Sequence, residues 1–364
     1  MATTVKNTPL RDSHARRGAK FTEFGGWNMP VQYKGIIHEH KHTRSAVSVF
    51  DICHMGEFLL KGAQAQGDVA RLISNSVERI RVGQCRYGFL LNESGGILDD
   101  LITYRLEEET YMLVVNACPT EADAEWIREH LSPGTVFREL SEETAKIDVQ
   151  GPRALEALSD AADIPLSRLA YFHFERGKLW EFEALISRTG YTGELGYELY
   201  VKSNAAEAIW ERLLEHPLVE PAGLGARDTL RLEMGYPLYG QEMDEHRTPF
   251  EAGLDPYVKL KKDFIGRDAL LRQRAEGISQ GLVGLLLEGR QAARHGFPIL
   301  RDGVPCGEVT SGSFAPSLGR AVSLGYVPWD HRAPGTRFEI RSGHRALTAE
   351  VVPLPFYKKG TVRA

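Results

Sequence analysis

The spacing of apolar positions predicts a series of amphipathic helices. In the segment 63–74, Val69, Leu72 and Ile73 recur at helical spacing and fall on one face. Thr120 is expected to be the N-cap of a helix, because a Thr hydroxyl can accept a hydrogen bond from the backbone of the first turn. Together these patterns predict helices over 34–48, 63–74, 120–131, 152–159, 204–215 and 266–275, with another that starts near Leu224.

Short apolar stretches between Gly, Pro, Asn and Asp clusters predict many strands, which come in runs. This order favours an α+β fold with mostly antiparallel sheets over a doubly wound fold. Composition changes near 275–281, after which the chain is almost entirely strand and turn. We therefore predict an α+β region over 1–275 and a small all-β domain over 281–364. The predicted strands are 57–61, 99–106, 111–117, 145–150, 180–188, 196–202, 281–288, 336–341 and 346–353.

Length and composition limit the class of protein. A chain of 364 residues is too long for one hydrophobic core. Its formal net charge of −5 does not favour nucleic acid as the main partner, since a phosphate-binding surface usually makes a chain basic. No window holds about 18 consecutive apolar residues, and the first residues contain no apolar signal region. We therefore predict a cytoplasmic protein that does not span or bind a membrane.

Several common chemistries are missing from the sequence. There is no P-loop and no G-x-S-x-G nucleophile elbow. The four cysteines form no C-x-x-C pair, which favours reduced thiols over a zinc ribbon or a redox motif. His38 and His42 would share a helix face, but no third metal ligand is nearby and the alternating Glu and Lys suit a solvated helix. We therefore predict no metal site.

The first unusual polar segment is RYGFLLNESGGILDDLITYRL, at 86–106. Its two apolar strands around an Asn- and Gly-rich turn predict a β-hairpin. Strand alternation sends Asp99 and Asp100 to opposite faces, so one of them points inward or into a cleft unless both cap the turn at an exposed strand end. Spacing alone favours the exposed alternative.

Two further segments place charged side chains at positions where a hydrophobic core would have apolar ones. In SRTGYTGELGYELYV, at 187–201, Glu198 falls within a strand beside aromatic residues. A ligand-binding carboxylate and a solvent-facing one both fit this position, and the second is the more frequent case. In PAGLGARDTLRLEMGYPLYGQEM, at 221–243, Arg227 and Arg231 share a helix face. A charged, solvated helix surface is the ordinary interpretation of these two arginines. However, glycines flank the helix on both sides, and two tyrosines follow it.

Taken together, these segments resemble the T-protein, the aminomethyltransferase family of the glycine cleavage system. The resemblance runs from about residue 8 to the end of the chain without large gaps, and several matching strings exceed ten residues. The strings are FGGWNMPVQY (24–33), VFDICHMGEF (49–58), LLNESGGILDDLITYR (90–105), QGPRA (150–154), SRTGYTGELGYEL (187–199), PAGLGARDTLRLEMGYPLYGQEM (221–243), PFEAGLDPYVKLKKDFIGRDAL (249–270) and GEVTSGSFAPSLGRAVSLGYV (307–327).

The resemblance implies a specific reaction and fold. Such enzymes take the aminomethyl group held on the lipoyl arm of a partner, the lipoylated H-protein, and transfer its carbon to tetrahydrofolate. The products are 5,10-methylenetetrahydrofolate, ammonia and the reduced lipoyl arm, with no metal and no covalent enzyme intermediate required. The implied fold has three domains around a central folate pocket, the last a small jelly-roll-like barrel. That agrees with the strand-rich region after residue 281.

The resemblance also implies roles for single residues. Asp100 is expected near N10 of the folate, where it orients that nitrogen and accepts its proton. Glu198 is expected to hold the pterin by accepting two adjacent donors, and Arg227 is expected to be a second pterin contact. The residues expected to bind or line the folate are Met55, Tyr87, Tyr104, Asn116, Tyr191, Glu198, Arg227, Tyr236 and Arg363.

Two other functions stay open beside this one. A related folate-dependent demethylase acts on a small methylated compound and needs a small-substrate pocket instead of a protein-docking surface. A non-enzymatic folate-binding scaffold for iron–sulfur assembly or tRNA maintenance is disfavoured, because the Lys-Gly-Cys string of such relatives is missing from this chain.

Overall fold

The computed structural model describes residues 5–343 and 345–363. In that part of the chain no helix is long and apolar enough to cross a membrane. The α-helices of the described residues are α1 (Arg11–Arg16), α2 (Ile36–Ser45), α3 (Ala65–Leu72), α4 (Thr120–Glu129), α5 (Ala154–Leu158), α6 (Ala206–Leu214), α7 (Leu224–Glu233) and α8 (Arg267–Glu276).

The strands of the same residues are β1 (Lys6–Asn7), β2 (Lys20–Phe24), β3 (Trp27–Gln32), β4 (Val47–Asp51), β5 (Gly56–Lys61), β6 (Cys85–Leu91), β7 (Ile97–Glu107), β8 (Thr110–Val115), β9 (Val136–Glu139), β10 (Thr144–Gln150), β11 (Phe174–Leu179), β12 (Phe182–Ser187), β13 (Gly196–Lys202), β14 (Val219–Pro221), β15 (Gln280–Leu287), β16 (Pro298–Arg301), β17 (Val304–Ala315), β18 (Arg320–Pro328), β19 (Arg337–Ser342) and β20 (Arg345–Val352).

These strands form three open sheets and one closed barrel. A three-stranded sheet has the order β1-β3-β2, a five-stranded sheet the order β6-β7-β8-β5-β9, and a six-stranded sheet the order β11-β12-β13-β10-β4-β14. The barrel closes in the order β15-β18-β17-β16-β19-β20. Among the described pairings, β1 with β3 and β4 with β14 are parallel, whereas the ladders within the five-stranded sheet and the barrel are antiparallel.

Alternation along the strands gives each large sheet one apolar and one polar face. On β10, Ala145, Ile147 and Val149 enter a core with α5 and α6, so Lys146 and Asp148 point to the opposite side. The five-stranded sheet packs its apolar face against α3 and α4. The other faces of the two sheets meet through a shared cluster that contains residues of β6, β7, β8, β11 and β13. The polar sides of the two sheets therefore face each other.

Helix α7 joins this arrangement to the barrel. Its residues Ala226 and Leu230 pack against Phe50 of β4, whereas Leu232 packs against Leu324 of the barrel. Because α7 has apolar residues on two sides, it packs against both neighbours at once. Helix α7 therefore holds the barrel against the six-stranded sheet.

The sequence-based fold class is confirmed. The chain is α+β with mostly antiparallel pairing, and the strand-rich C-terminal region is a closed six-stranded barrel. The predicted N-cap is wrong. Helix α4 has Pro119 before its first residue, and the Thr120 hydroxyl donates to the carbonyl of Asn116 instead of accepting from the first turn. The boundaries that we assigned to the domains stay a prediction.

Candidate active site

Asp100 lies on the polar face of the five-stranded sheet. Strand β7 alternates, so Asp99 and Leu101 are buried below the sheet and the half-buried Asp100 projects toward the six-stranded sheet. The Tyr87 hydroxyl donates to Asp100 Oδ2 at 2.9 Å, and Asn116 Nδ2 donates to Oδ1 at 2.8 Å. Burial raises the pKa of Asp100 to about 6, although both hydrogen bonds oppose the rise.

The alternative in which both aspartates cap an exposed turn is wrong. Asp99 is fully buried, and it accepts the backbone N–H of Asn116 at Oδ2 and the Asn116 Nδ2 at Oδ1, both at 2.8 Å. The turn itself is closed by Asn92, whose side chain accepts from the backbone of Ser94 and Gly96. A short polar side chain thus completes the turn, and the aspartates are free to face the interior.

Glu198 lies on the polar face of the six-stranded sheet and is 3% exposed, so the solvent-facing alternative is also wrong. Lys146 Nζ lies 3.1 Å from Oε1, and the Thr189 hydroxyl donates to Oε2 at 2.6 Å. Burial alone would raise the pKa of Glu198, but the charge of Lys146 and the bond from Thr189 outweigh it and lower the pKa. Glu198 is therefore an ionised carboxylate inside the protein.

The guanidinium of Arg227, on α7, stacks with two tyrosine rings. Its guanidinium lies 5.0 Å from the ring centroid of Tyr191, and its Nη1 donates to Asp148 Oδ2 at 2.7 Å. The Tyr191 ring in turn stacks on Tyr236, with centroids 5.7 Å apart and an angle of 23° between the planes. A charged helix surface is therefore the wrong description of this part of α7.

These groups form one continuous set. Asp100 and Tyr104 lie on the same face of β7, and the Tyr104 hydroxyl lies 3.5 Å from Glu198 Oε2. Asp148, which accepts the hydrogen bond from Arg227, pairs with Glu198 across β10 and β13. Met55 belongs to the same set, because its sulfur lies 3.5 Å from Lys146 Nζ. The two carboxylates singled out in the sequence therefore lie in one region of the molecule, between the facing sheets.

Two of the expected folate contacts lie at the margins of this set. Tyr104 is fully buried, and its hydroxyl is 2.9 Å from that of Tyr200 and 3.5 Å from Glu198 Oε2. Arg363 is exposed, and its positive charge opposes the rise that burial produces in the pKa values of Tyr171 and Tyr236. The Tyr104 hydroxyl therefore contacts Glu198 in the interior of the protein. Arg363 is an exposed residue near the C-terminus, and its charge acts on the tyrosines at the other margin of the set.

The sequence analysis missed Lys146 and Asp148. Lys146 is 1% exposed and Asp148 fully buried, and burial raises the pKa of Asp148 to about 6. The signal was available in TAKIDVQ, at 144–150, where polar residues at alternate positions interrupt an apolar strand. Applied there, the alternation rule used for Asp99 and Asp100 would have identified both.

A surface cleft of about 670 Å³ opens elsewhere between the two sheets, with Leu106, Met112 and Leu185 in its lining. None of the ten residues expected at the site lines this cleft. Several buried charged groups with perturbed pKa values lie around Asp100 and Glu198 instead. We therefore regard that set as the candidate active site, because such groups mark functional sites more specifically than cleft volume does.

His38 and His42 belong to a surface ion pair. Their rings stack with centroids 6.2 Å apart, and His38 Nε2 lies 2.8 Å from Glu220, which Lys34 also contacts at 2.8 Å. Across the described residues, no three His, Cys, Asp or Glu side chains are grouped so as to hold a metal ion.

Comparisons with known proteins agree with this architecture. Residues 10–262 match the family described as the GCVT N-terminal domain, and residues 281–358 match the glycine cleavage T-protein C-terminal barrel domain. The aminomethyltransferase of Halothermothrix orenii is 45% identical over 97% of this chain and 100% of its own length. That of Thermotoga neapolitana is 43% identical over 99% of each.

A solved structure is similar throughout. The crystal structure of glycine cleavage system aminomethyltransferase T from Bartonella henselae has a TM-score of 0.93 and 35% identity. The match covers 98% of this chain and 99% of that one. With both family domains matched in order and full-length relatives above 40% identity, this chain belongs to the glycine cleavage T-protein family of aminomethyltransferases.

Proposed function

We propose that this chain transfers the methylene carbon of aminomethyl-dihydrolipoyl H-protein to tetrahydrofolate. The products are 5,10-methylenetetrahydrofolate, ammonia and dihydrolipoyl H-protein. The observation that carries the proposal is the pairing of Asp100 with Tyr87 and Asn116 in the same region as the buried Glu198. Asp100 acts on the folate nitrogen that reacts, and Glu198 binds the pterin ring.

Glu198 supports pterin binding through Oε1, which can accept a hydrogen bond in addition to the contact with Lys146. Its Oε2 is reached by Thr189, Tyr104 and Tyr200, whereas Lys146 is the one donor to Oε1 among the described residues. A carboxylate oxygen accepts about two hydrogen bonds, so Oε1 has one position left for a pterin N–H. The neighbouring Arg227 and Met55 offer a donor and an apolar surface to the same ring.

Asp100 supports the chemical step as a general base. With a pKa of about 6 it is mostly ionised at neutral pH and more basic than an ordinary aspartate. The transferred carbon is bonded to the lipoyl sulfur and to the amino nitrogen, and both of these bonds break. One folate nitrogen forms a C–N bond to the carbon as ammonia leaves, and the second folate nitrogen forms another as the lipoyl sulfur leaves as a thiol. The two N–H protons of the folate end on ammonia and on this thiol, and Asp100 takes up the proton released from N10 and passes it on. Before that, its negative charge stabilises the positive charge that develops on the nitrogen.

The decisive experiment is incubation of the chain with aminomethylated H-protein and tetrahydrofolate, with ammonia release as the measurement. We expect ammonia only when all three components are present. The control replaces the H-protein with free small methylated amines or sulfonium compounds. Turnover of the small compounds without H-protein would instead identify a folate-dependent demethylase. Folate binding without turnover of either substrate would identify a non-enzymatic scaffold.

A further inference from the structure

The last residues of the chain lie against the loop that contains Tyr191. This loop, residues 188–195, joins β12 to β13. It contains Tyr191, which stacks on Tyr236, and also Thr189, which donates to Glu198. The loop therefore places side chains in both parts of the candidate active site. The chain after β20 runs from the barrel to this loop, and we call its residues 357–363 the C-terminal strap.

The backbone of the strap is fixed near both of its ends. At its start, the backbone N–H of Tyr357 donates to the carbonyl of Glu233, on α7, at 2.8 Å. Toward its end, the backbone N–H of Val362 donates to the carbonyl of Gly193 at 3.1 Å. A Cβ on Gly360 would lie 2.3 Å from that same carbonyl oxygen of Gly193. The strap and the loop are therefore in direct backbone contact.

Thr361 adds side-chain bonds to this contact. Its hydroxyl donates to Glu194 Oε2 at 2.6 Å and accepts the backbone N–H of Leu195 at 2.9 Å. The backbone N–H of Thr361 donates to the same Oε2 at 3.1 Å. Glu194 is 1% exposed, and its Oε1 accepts from Arg44 Nη1 at 2.8 Å. Because hydrogen bonds to an ionised carboxylate are stronger than neutral ones, Thr361 contributes a large part of the contact.

Arg44 of α2 holds the loop and the strap together. Its guanidinium donates to the carbonyl of Thr192 at 2.6 Å and lies 4.1 Å from the ring centroid of Tyr357. It also pairs with Glu233 at 3.0 Å. Opening the strap removes both Thr361 donors from a buried carboxylate, which is unfavourable. The free protein therefore keeps the strap closed.

We propose that the C-terminal strap fixes the 188–195 loop for folate binding and that Thr361 is a positioning residue for tetrahydrofolate. Thr361 acts through Glu194 and Leu195, which follow Tyr191 closely in the same loop. With the strap open, the Tyr191 ring loses its fixed position, so the open protein binds folate poorly. This role rests on the proposed function, in which the region between the sheets binds tetrahydrofolate.

Thr361→Val tests the positioning role, because valine keeps the shape of threonine and lacks its hydroxyl. An apparent Kd rises in inverse proportion to the fraction of protein in the binding-competent state. We expect the Kd for tetrahydrofolate to rise about tenfold in equilibrium titration, the equivalent of one lost bond to a charged group. We expect kcat at saturating tetrahydrofolate to stay near that of wild type, because bound folate restores the closed strap.

Two further variants separate this effect from general damage to the protein. Thr361→Ser keeps the hydroxyl that contacts Glu194 and Leu195, so it is expected to restore the Kd of wild type. Thr348→Val is the matched control, because Thr348 is an exposed threonine on β20 of the barrel. Its Kd and kcat are expected to equal those of wild type.

The strap also contains trypsin sites that report its opening. Lys358 and Lys359 are exposed, but a protease needs the chain around the cleaved bond to open. Limited digestion followed by intact mass measures the loss of residues 360–364. At tetrahydrofolate concentrations of about ten times Kd, we expect cleavage to be about tenfold slower than without it, because folate binds the closed state. Without folate, Thr361→Val is expected to be cleaved faster than wild type.

An unchanged Kd in Thr361→Val, or a raised Kd that Thr361→Ser does not correct, would overturn the positioning role. Strap cleavage at one rate with and without tetrahydrofolate would overturn it as well. Neither measurement uses H-protein. Normal folate binding without ammonia release would therefore contradict the proposed transfer while the strap results still stand, whereas a chain that does not bind tetrahydrofolate would refute both.

Discussion

At the residue scale, the surroundings of Asp100 set both its charge and its basicity. Burial raises its pKa to about 6, and the donors Tyr87 and Asn116 limit the rise. Without these donors the pKa would rise further toward that of a neutral acid, and without burial the group would be a weaker base. The two opposing effects leave a carboxylate that is ionised and still able to take up a proton.

Asp100→Asn is expected to separate binding from chemistry. The amide keeps the size of the side chain, so folate affinity stays within about threefold, whereas loss of the base lowers kcat about 100-fold or more. Equilibrium binding of folate and single-turnover ammonia release on the same variant check this. Asp268→Asn is the control, because Asp268 is an exposed partner of Arg267 at the start of α8. Near-normal turnover of the Asp100 variant would remove it from the catalytic role.

The pH dependence of turnover follows from the same group. Because Asp100 acts in its ionised form and its pKa in the free protein is raised to about 6, kcat/KM for tetrahydrofolate is expected to fall as pH decreases through about 6. An aspartate with an ordinary pKa would lose its charge only near pH 4. Steady-state ammonia release between pH 5 and pH 8, at tetrahydrofolate concentrations below KM, measures this decline. The residual activity of Asp100→Asn is expected to lack it.

Glu198→Ala is expected to weaken folate binding and also to destabilise the protein. The substitution leaves the Lys146 ammonium buried without its partner, which costs about 3–5 kcal/mol. A double variant, Glu198→Gln with Lys146→Met, removes both charges and is expected to recover most of the stability. Its folate affinity is expected to stay low, because the pterin acceptor is still changed. Recovery of wild-type affinity in the double variant would refute the pterin contact.

At the element scale, the hairpin of β6 and β7 is fixed by a loop after α7. The backbone N–H of Ile97 donates to the carbonyl oxygens of Asp244 and Arg247, and Asn92 Nδ2 donates to that of Glu245. A Cβ on Gly96 would lie 1.8 Å from the Glu245 carbonyl oxygen. The turn therefore has no room for a side chain at Gly96. This residue comes directly before β7, the strand that contains Asp99 and Asp100.

Gly96→Ala is expected to lower stability and turnover together, because the clash moves either the turn or the loop that docks on it. Gly67→Ala is the paired control. Gly67 lies inside α3 with open space around its Cβ position, so alanine there is expected to stabilise the protein by about 0.5–1 kcal/mol. Urea unfolding and ammonia release of the two variants check both outcomes. A Gly96→Ala variant with wild-type stability would contradict the close approach.

Local patterns predicted the elements well and the fate of their polar residues less well. The hairpin, α7 and the barrel strands β15, β19 and β20 follow from periodicity and turn residues, which are local properties, whereas β16, β17 and β18 were not predicted as separate strands. Whether Asp99 and Glu198 face water depends on what packs over each strand. The face of β7 that carries Asp99 is covered by the helices α3 and α4, and the face of β13 that carries Glu198 is covered by the five-stranded sheet. No local rule predicts these distant neighbours. The Thr120 cap failed for a similar reason, because the hydroxyl binds the preceding turn instead.

At the scale of the whole molecule, the site depends on how the barrel docks. Arg231 of α7 is 2% exposed and links three regions: its guanidinium binds Glu242, the Tyr236 carbonyl and the Ser311 hydroxyl on β17. Because Tyr236 also stacks on Tyr191, one buried cation connects the barrel to the candidate active site. Folate affinity and barrel docking are therefore expected to change together.

Arg231→Met tests this connection. The variant keeps an apolar stem but leaves the fully buried Glu242 carboxylate without its cation, so we expect a loss of about 3–5 kcal/mol in urea unfolding. The second change Glu242→Gln removes the unpaired charge and is expected to recover a large part of that loss. Folate affinity is expected to stay reduced in both variants, because the Tyr236 carbonyl and Ser311 have still lost their common donor. A double variant that recovers stability and full affinity together would show that the barrel contact does not support the site, and that Tyr236 is held by its stacking on Tyr191 alone.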